Sequence, residues 1–510
     1  MLLQEFLYRA AHKTPDKDAL IYGENRISYL QLASAARSIA SWIDSFELEP
    51  GFRGALLTDE PFEYISYYFG ILMAGGVVVG LNTQTSLKAL SYTINDCGAA
   101  VLCAHKKFSR LLQTSLPSLQ SIVAVAISDR EKTFPETEIS CSNLTSLLAM
   151  EPQRPEENIP FRTSCDLAQI IYTSGTTGNP KGVMLRHAAL AANTKAIVKY
   201  LGLTADDRGM AVLPFFYSYG NSILLTHIAV GGTLVVNQSF MYPNVILQQM
   251  VDHRVTGFSG VPSTYSILLS RSALGTFRFP ALRYLTQAGA AMSPVLANKL
   301  QEVFPGVAIY IMYGQTEASA RLSYLEPADL MEREGSIGKA IPGVTLTLRD
   351  KNGKEVSTGQ TGEIVARGEN IMAGYWQQPA ESAKVLSREG LWTGDLARRD
   401  EDGFLYIVSR KSDIIKSGSH RIGPKEIEDT LAEHPAVHEI AVVGIADEIL
   451  DERILACVVL VDGCECHERE LIKHCRKELP AYKVPQEIRF FCELPKTATG
   501  KIKKTELKKA

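Results

Sequence analysis

The sequence predicts an α/β protein: a large N-terminal α/β domain with layered, largely parallel sheets and a β-rich subdomain, then a small α+β C-terminal domain. Three observations predict it. Short β-branched runs alternate with helical patterns through most of the chain. The texture changes after about residue 340, where hairpin signals take over. The last stretch, of about a hundred residues, reads as a compact unit of its own.

The alternating part gives strands at 77–81, 100–104, 122–127 and 233–236, with helices at 29–43 and 188–201 between them. Segment 151–160 is rich in proline and charge and reads as a loop between structural units. After residue 340, runs at 345–349 and 362–366 flank Asn352-Gly353, a strong hairpin signal. The C-terminal unit reads as a helix at 424–434 opened by proline, strands at 439–443 and 454–461, a helix at 468–479 and a strand at 488–491. The boundary falls at 409–412, dividing 1–409 from 410–510.

With 510 residues, the chain exceeds what one core usually holds. Lys plus Arg number 53 against 56 Asp plus Glu, a formal net charge of −3, so nothing global points to nucleic acid or an anionic membrane. The start, 1–11, reads as a short amphipathic helix without the basic and apolar regions of a leader. The nine cysteines are scattered, and reduced thiols in a cytoplasmic protein are expected. Cys464-x-Cys466-His467 has too few ligands at the wrong spacing for structural zinc. No transmembrane segment is expected: the most apolar stretch, 223–236, is broken by Thr226, His227, Gly231 and Gly232.

The sharpest chemical feature is Tyr172-Thr-Ser-Gly-Thr-Thr-Gly-Asn-Pro-Lys-Gly182, which follows an apolar strand at 167–171. Hydroxyls at Thr173, Ser174, Thr176 and Thr177 and backbone N–H groups around Gly175 and Gly178 can wrap phosphate oxygens. Lys181 adds a point charge. The spacing is not that of a Walker A loop.

This string resembles the signature phosphate loop of the adenylate-forming enzymes, which include acyl-CoA synthetases and peptide-synthetase adenylation domains. The resemblance runs over nearly the whole chain. Tyr313-Gly314-Gln-Thr316-Glu317 resembles the motif in which tyrosine stacks on adenine, threonine binds the α-phosphate and glutamate holds Mg²⁺. Ala288-Gly289-Ala290-Ala-Met292 resembles the turn forming the other wall of the adenine pocket, though the family usually has glycine at 288 and proline at 291. Asp395, in Leu391-Trp-Thr-Gly-Asp395, resembles the aspartate that binds both ribose hydroxyls, and Arg410 the arginine that also reaches the ribose. Lys501, in Pro495-Lys-Thr-Ala-Thr-Gly-Lys501, resembles the catalytic lysine of the family's mobile C-terminal domain.

Besides these, Ser412 stands at the family's hinge, where Asp or Lys is usual, and two further places depart from the pattern. Tyr217 stands where many members carry the histidine that gates the passage between acid and thiol, with Ser218 and Tyr219 beside it. In the loop Lys416-Ser-Gly418-Ser419-His-Arg-Ile422, Ser419 replaces the second of two adjacent glycines that pantetheine passes. The same loop's His420-Arg421 is similar to peptide-synthetase domains. No aspartate lies near 216–221 to pair with an amino group, so an α-amino acid is disfavoured. The expected pocket segments, 215–223, 258–265, Gly289 and 313–319, are apolar and aromatic with scattered hydroxyls, which suits a fatty or aryl acid.

The resemblance thus implies an ATP- and Mg²⁺-dependent ligase. Thr173 to Lys181 hold the phosphates. Lys501 and the metal on Glu317 stabilise charge while a small-molecule carboxylic acid becomes an acyl-adenylate. The C-terminal domain then turns about Lys411-Ser412, and coenzyme A takes the acyl group. Two alternatives stand beside this reading: transfer to the pantetheine of an acyl or peptidyl carrier protein, and a catalytically silent adenylate-binding protein.

Overall fold

The computed structural model describes residues 1–84, 86–128, 139–149, 162–173, 180–417, 420–447, 450–496 and 502–509. The expected loop at 151–160 and the expected site residues Ser174, Gly175, Thr176, Thr177, Gly178, Gly418, Ser419 and Lys501 lie outside the described residues.

Two large sheets dominate. In the eight-stranded sheet, Leu167–Thr173, Val77–Gly80, Arg53–Leu57, Ala99–Ala104, Ala124–Ile127 and Ser140–Asn143 lie side by side and parallel. Lys181–Arg186 and Gly374–Tyr375 extend it antiparallel. The central parallel strands are largely apolar, as strands covered on both faces must be: Val77–Gly80 is buried at every position, whereas the edge strand Ser140–Asn143 is polar and partly exposed.

The second sheet has fourteen strands. Its parallel half runs Asp18–Tyr22, Thr233–Val236, Arg208–Ala211, Gly257–Gly260, Tyr284–Gln287, Ala308–Tyr313. The expected β-rich part continues this sheet in antiparallel fashion through Ser323–Leu325, Ser336–Ala340, Leu405–Arg410, Gly390–Arg399, Gly362–Gly368 and Val344–Arg349. Gly390–Arg399 alternates buried and half-buried positions, the mark of a strand packed on one face. The Asn-Gly turn is displaced from its expected role. Asn352-Gly353 reverses the chain only between Arg349 and Glu355, and a longer loop then brings Gly362–Gly368 back against Val344–Arg349.

Helices fill the space between the two sheets. Tyr29–Asp44 is capped by Ser28 and Gln31, each side chain bonded to the other's backbone N–H. Pro61–Met73 is buried on nearly every side; Tyr67, Tyr68, Phe69 and Ile71 have no exposed surface. One core joins these helices to Ser218–Val230 and to Leu56 and Val78 of the first sheet and Leu20 and Ala211 of the second. Burial of each such large side chain contributes about 1.5–3 kcal/mol.

Leu405–Arg410 is the last strand of the large sheet, and Ile415–Ser417 opens a separate five-stranded sheet. There Asp451–Leu460 pairs with Val437–Asp447 and Glu487–Phe490. Helices Pro424–Ala432 and Glu468–Glu478 pack on it through Ile427, Leu431, Leu471 and Cys475. Among the described residues, no helix is long and apolar enough to cross a membrane.

Candidate active site

Parallel α/β sheets leave a crevice at the carboxyl ends of their strands, where the chain turns back. Tyr284–Gln287 and Ala308–Tyr313 are neighbours, and both end at expected site residues. Past the first, Gly289 has φ +94°, a left-handed conformation that side chains rarely take, and Gly289 and Ala290 are exposed at the rim. Past the second, a Cβ on Gly314 would lie 2.0 Å from the Ala320 carbonyl oxygen, so only glycine lets the turn close this tightly. Ser319 and Ala320 also have positive φ, 57° and 113°. For alanine that is strain, and strain of this kind clusters at functional sites.

Asp395 and Arg410 face each other across Gly390–Arg399 and Leu405–Arg410. Arg410 Nε donates to Asp395 Oδ1 at 2.8 Å, and the Tyr313 hydroxyl donates to Asp395 Oδ2 at 2.7 Å. Asp395 is 3% exposed. Burial and the adjacent carboxylate push the Tyr313 hydroxyl well above its ordinary pKa, so it remains a donor. Asp395 in turn holds the Arg410 guanidinium charged. A carboxylate offers about four acceptor sites, so each Asp395 oxygen keeps capacity for a ligand hydroxyl.

The phosphate side is built where the two sheets meet. Thr173 ends one strand, and Lys181 begins its antiparallel partner directly opposite. Lys181 Nζ contacts Glu381 Oε2 at 2.6 Å and lies 5.2 Å from the centre of the Tyr375 ring. The Tyr375 hydroxyl donates to Glu317 Oε1 at 2.9 Å, and the Met372 N–H to the Glu317 carbonyl at 2.9 Å. Tyr375 therefore joins Lys181 to Glu317. Lys384 also bonds Glu381, and the two lysines hold its carboxyl at about 2, Lys181 first. Tyr375 and Glu381 carry no motif of their own and were not expected in the site. Among the described residues no three His, Cys, Asp or Glu side chains cluster to cage a metal. A lone Glu317 beside a phosphate-binding segment suits Mg²⁺ carried in with a triphosphate.

The residues expected on the acyl and thiol side begin near Ser218, whose hydroxyl lies 3.2 Å from that of Thr316. Tyr217 precedes the helix Ser218–Val230, its ring 4.4 Å from that of Phe216. Burial raises its hydroxyl to about 12, so it stays neutral where a histidine would titrate. The Tyr219 hydroxyl bonds Thr286, 3.0 Å to the carbonyl and 2.9 Å to the side chain. Below Tyr219 lies a cavity bordered by Ser222, Thr226, Ser259, Thr286 and Arg321. Of these, Ser222 and Ser259 fall in the expected pocket segments. Arg321 lies two residues past the last of them and adds a charge to a wall that Ile197, Leu201, Ile223, Tyr284 and Met312 otherwise keep apolar and aromatic, with scattered hydroxyls.

A crevice at strand ends, the buried Asp395 carboxylate and the Lys181–Glu381 pair fit a nucleotide-dependent, acid-activating ligase. Residues 7–376 match the AMP-binding enzyme family and 426–501 the AMP-binding enzyme C-terminal domain, and the chain belongs to that family. It is 30% identical to a long-chain-fatty-acid–CoA ligase of Bacillus subtilis, over 99% of this chain and 94% of that one. It is 32% identical to a 2-succinylbenzoate–CoA ligase of Bacillus licheniformis, over 98% of each. An anthranilate CoA ligase structure in complex with anthranoyl-AMP superimposes with a TM-score of 0.91 at 28% identity, covering 100% of this chain and 97% of that one. The o-succinylbenzoate coenzyme A synthetase of Bacillus subtilis, in complex with ATP and magnesium ion, gives 0.85 at 27% identity and 99% of each.

Proposed function

We propose that the protein is an AMP-forming acid–thiol ligase that activates a fatty or aryl carboxylic acid with ATP and Mg²⁺ and transfers the acyl group to coenzyme A. The observation that carries this reading is Tyr375, which ties the phosphate-side Lys181 to the metal-side Glu317. The division into lobes 1–409 and 410–510, and a cytoplasmic location, belong to the same proposal.

Asp395 and Arg410 hold the ribose, and Tyr313 packs the adenine against the turn at Gly289 and Ala290. Thr173, Ser174, Gly175, Thr176, Thr177, Gly178 and Lys181 hold the phosphates. Glu317 would hold Mg²⁺, which would offset phosphate charge when bound. A carboxylate oxygen bonds to the α-phosphorus as the bond to pyrophosphate breaks, and Lys501 stabilises the developing negative charge. The small lobe then turns about Lys411-Ser412. This withdraws Lys501 and brings Gly418 and Ser419 to the passage beside Tyr217. The thiol sulfur bonds to the acyl carbon and AMP leaves.

A pyrophosphate-release screen over fatty, aryl and amino acids, with and without coenzyme A and with a holo-carrier protein in parallel, tests this. Release with fatty or aryl acids and thioester formation on coenzyme A is the expected outcome. Transfer to the carrier alone would replace the acceptor. No release with any acid would sink the reading.

A further inference from the structure

We infer that Arg321 binds a second carboxylate on the substrate, so that the acid is a compact dicarboxylic acid, aryl or short-chain. The inference rests on the acid-activating reading above and names its substrate class.

Arg321 is 3% exposed. Its Nε donates to Met312 Sδ at 3.2 Å and its Nη1 to the Ala320 carbonyl at 3.2 Å. Its Cζ lies 4.2 Å from the centre of the Tyr219 ring. A thioether is a weak acceptor, these bonds meet two of five N–H donors, and the Tyr200 hydroxyl is a further neutral partner. Among the described residues no carboxylate pairs with it. Arg283, Arg333, Arg410 and Arg453 all have one, although each is more exposed. Burying a guanidinium without a counter-charge is costly, and packing alone gives no reason to retain it.

The side chain is also held in place. Asn193 and Asn370 both donate to the Arg321 carbonyl, at 3.1 and 2.8 Å. The left-handed Ser319 and Ala320 set the direction of the chain entering it. The charge is thus fixed on the cavity wall, and the other bordering side chains are hydroxyls, apolar groups and His227. His227 is kept neutral by burial. Its Nδ1 lies 2.9 Å from the Ile223 carbonyl, so this nitrogen carries the proton.

The cavity lies along the helix that starts at the expected reacting end. The helix Ser218–Val230 starts at the Ser218–Thr316 contact, at the reacting end, and lines the cavity through Tyr219, Ser222 and Thr226. One to two helical turns put the second group roughly 5–11 Å from the activated carboxyl. The free volume is about 20 Å³, which admits a carboxylate oxygen in the place of one water and leaves no room for an alkyl tail.

The test compares acids that differ only in a distal carboxylate: hexanoate with adipate, and 4-methylbenzoate with terephthalate. Pyrophosphate release gives kcat and KM separately in the wild type, Arg321→Lys and Arg321→Met. ATP binding by calorimetry reports folding of each variant. The expected result is a diacid preference in kcat/KM of at least about 30-fold, carried by KM. It falls at least about tenfold in Arg321→Met, with partial recovery in Arg321→Lys. Equal use of both members of each pair, or a preference unchanged in an ATP-binding Arg321→Met, would overturn the inference and leave the ligase reading intact. Absence of release with every acid would instead remove the ligase reading.

Discussion

The nucleotide side and the acyl side of this cleft treat charge in opposite ways. Around the nucleotide, charged groups already have protein partners: Asp395 holds Tyr313 and Arg410, Lys181 holds Glu381, and Glu317 accepts from Tyr375. On the acyl side, Arg321 is buried with a thioether, a carbonyl and an aromatic face. The first side can exchange protein partners for ligand atoms at little net cost. On the inference above, the second holds a desolvated charge that the second carboxylate of the acid would match. Affinity for ATP and choice of acid are therefore built as separate properties.

Substitutions on the nucleotide side sharpen this contrast, because they should alter rate or ATP use and leave the diacid-to-monoacid ratio unchanged. Lys501→Ala should have the largest effect, lowering adenylation by about 10²–10³-fold. Thioester formation from preformed acyl-adenylate should persist; equal loss in both half-reactions would remove its assigned role. Asp395→Asn comes next, raising the KM for ATP by about 10–100-fold, because one oxygen shared by ribose and Arg410 becomes a donor. An unchanged KM for ATP would break the ribose assignment. Tyr375→Phe should raise the Mg²⁺ concentration needed for half-maximal rate by about three- to tenfold, through loss of one hydrogen bond to a charged group. A magnesium titration at saturating ATP reads it.

Glu381→Gln should change the rate least, within about threefold, since exposed ion pairs contribute little. The carboxyl is depressed from the ordinary 4.5 to about 2. Its contribution is therefore complete above 4.5 and disappears as the pH falls towards about 2. Lys181 should stay paired at pH 5, and a carboxylate NMR titration should show no midpoint for Glu381 above 4. A midpoint near 4.5 would show the pair to be absent in solution.

The strings around Thr173 and Tyr313 stood out in the sequence because each sits at a strand-to-loop transition and carries unusual residue types close together, whereas Asp395 lies within a strand. Thr173 and Tyr313 end strands that the β-branched and aromatic pattern marks. Strand order was not legible. Asp18–Tyr22 pairs with Thr233–Val236, and the apolar texture of the two runs says nothing of that partnership. For the same reason Tyr375 and Glu381 were missed: they reach Glu317 and Lys181 only because Gly374–Tyr375 adds to the edge of the first sheet. Arg321 was missed because an arginine after Ala318-Ser-Ala320 reads as a surface residue. The single hint was its place directly before the apolar and hydroxyl run Leu322-Ser-Tyr-Leu325.

Arg410 ends the large sheet and Ile415 begins the small one, leaving residues 411–414 between them. Four residues reach at most about 14 Å when fully extended. A small lobe that turns during catalysis would therefore stay tethered close to Asp395. Its visits to the cleft are intramolecular encounters at an effective concentration in the millimolar range or above. Dilution of the protein cannot part the small sheet from the large one.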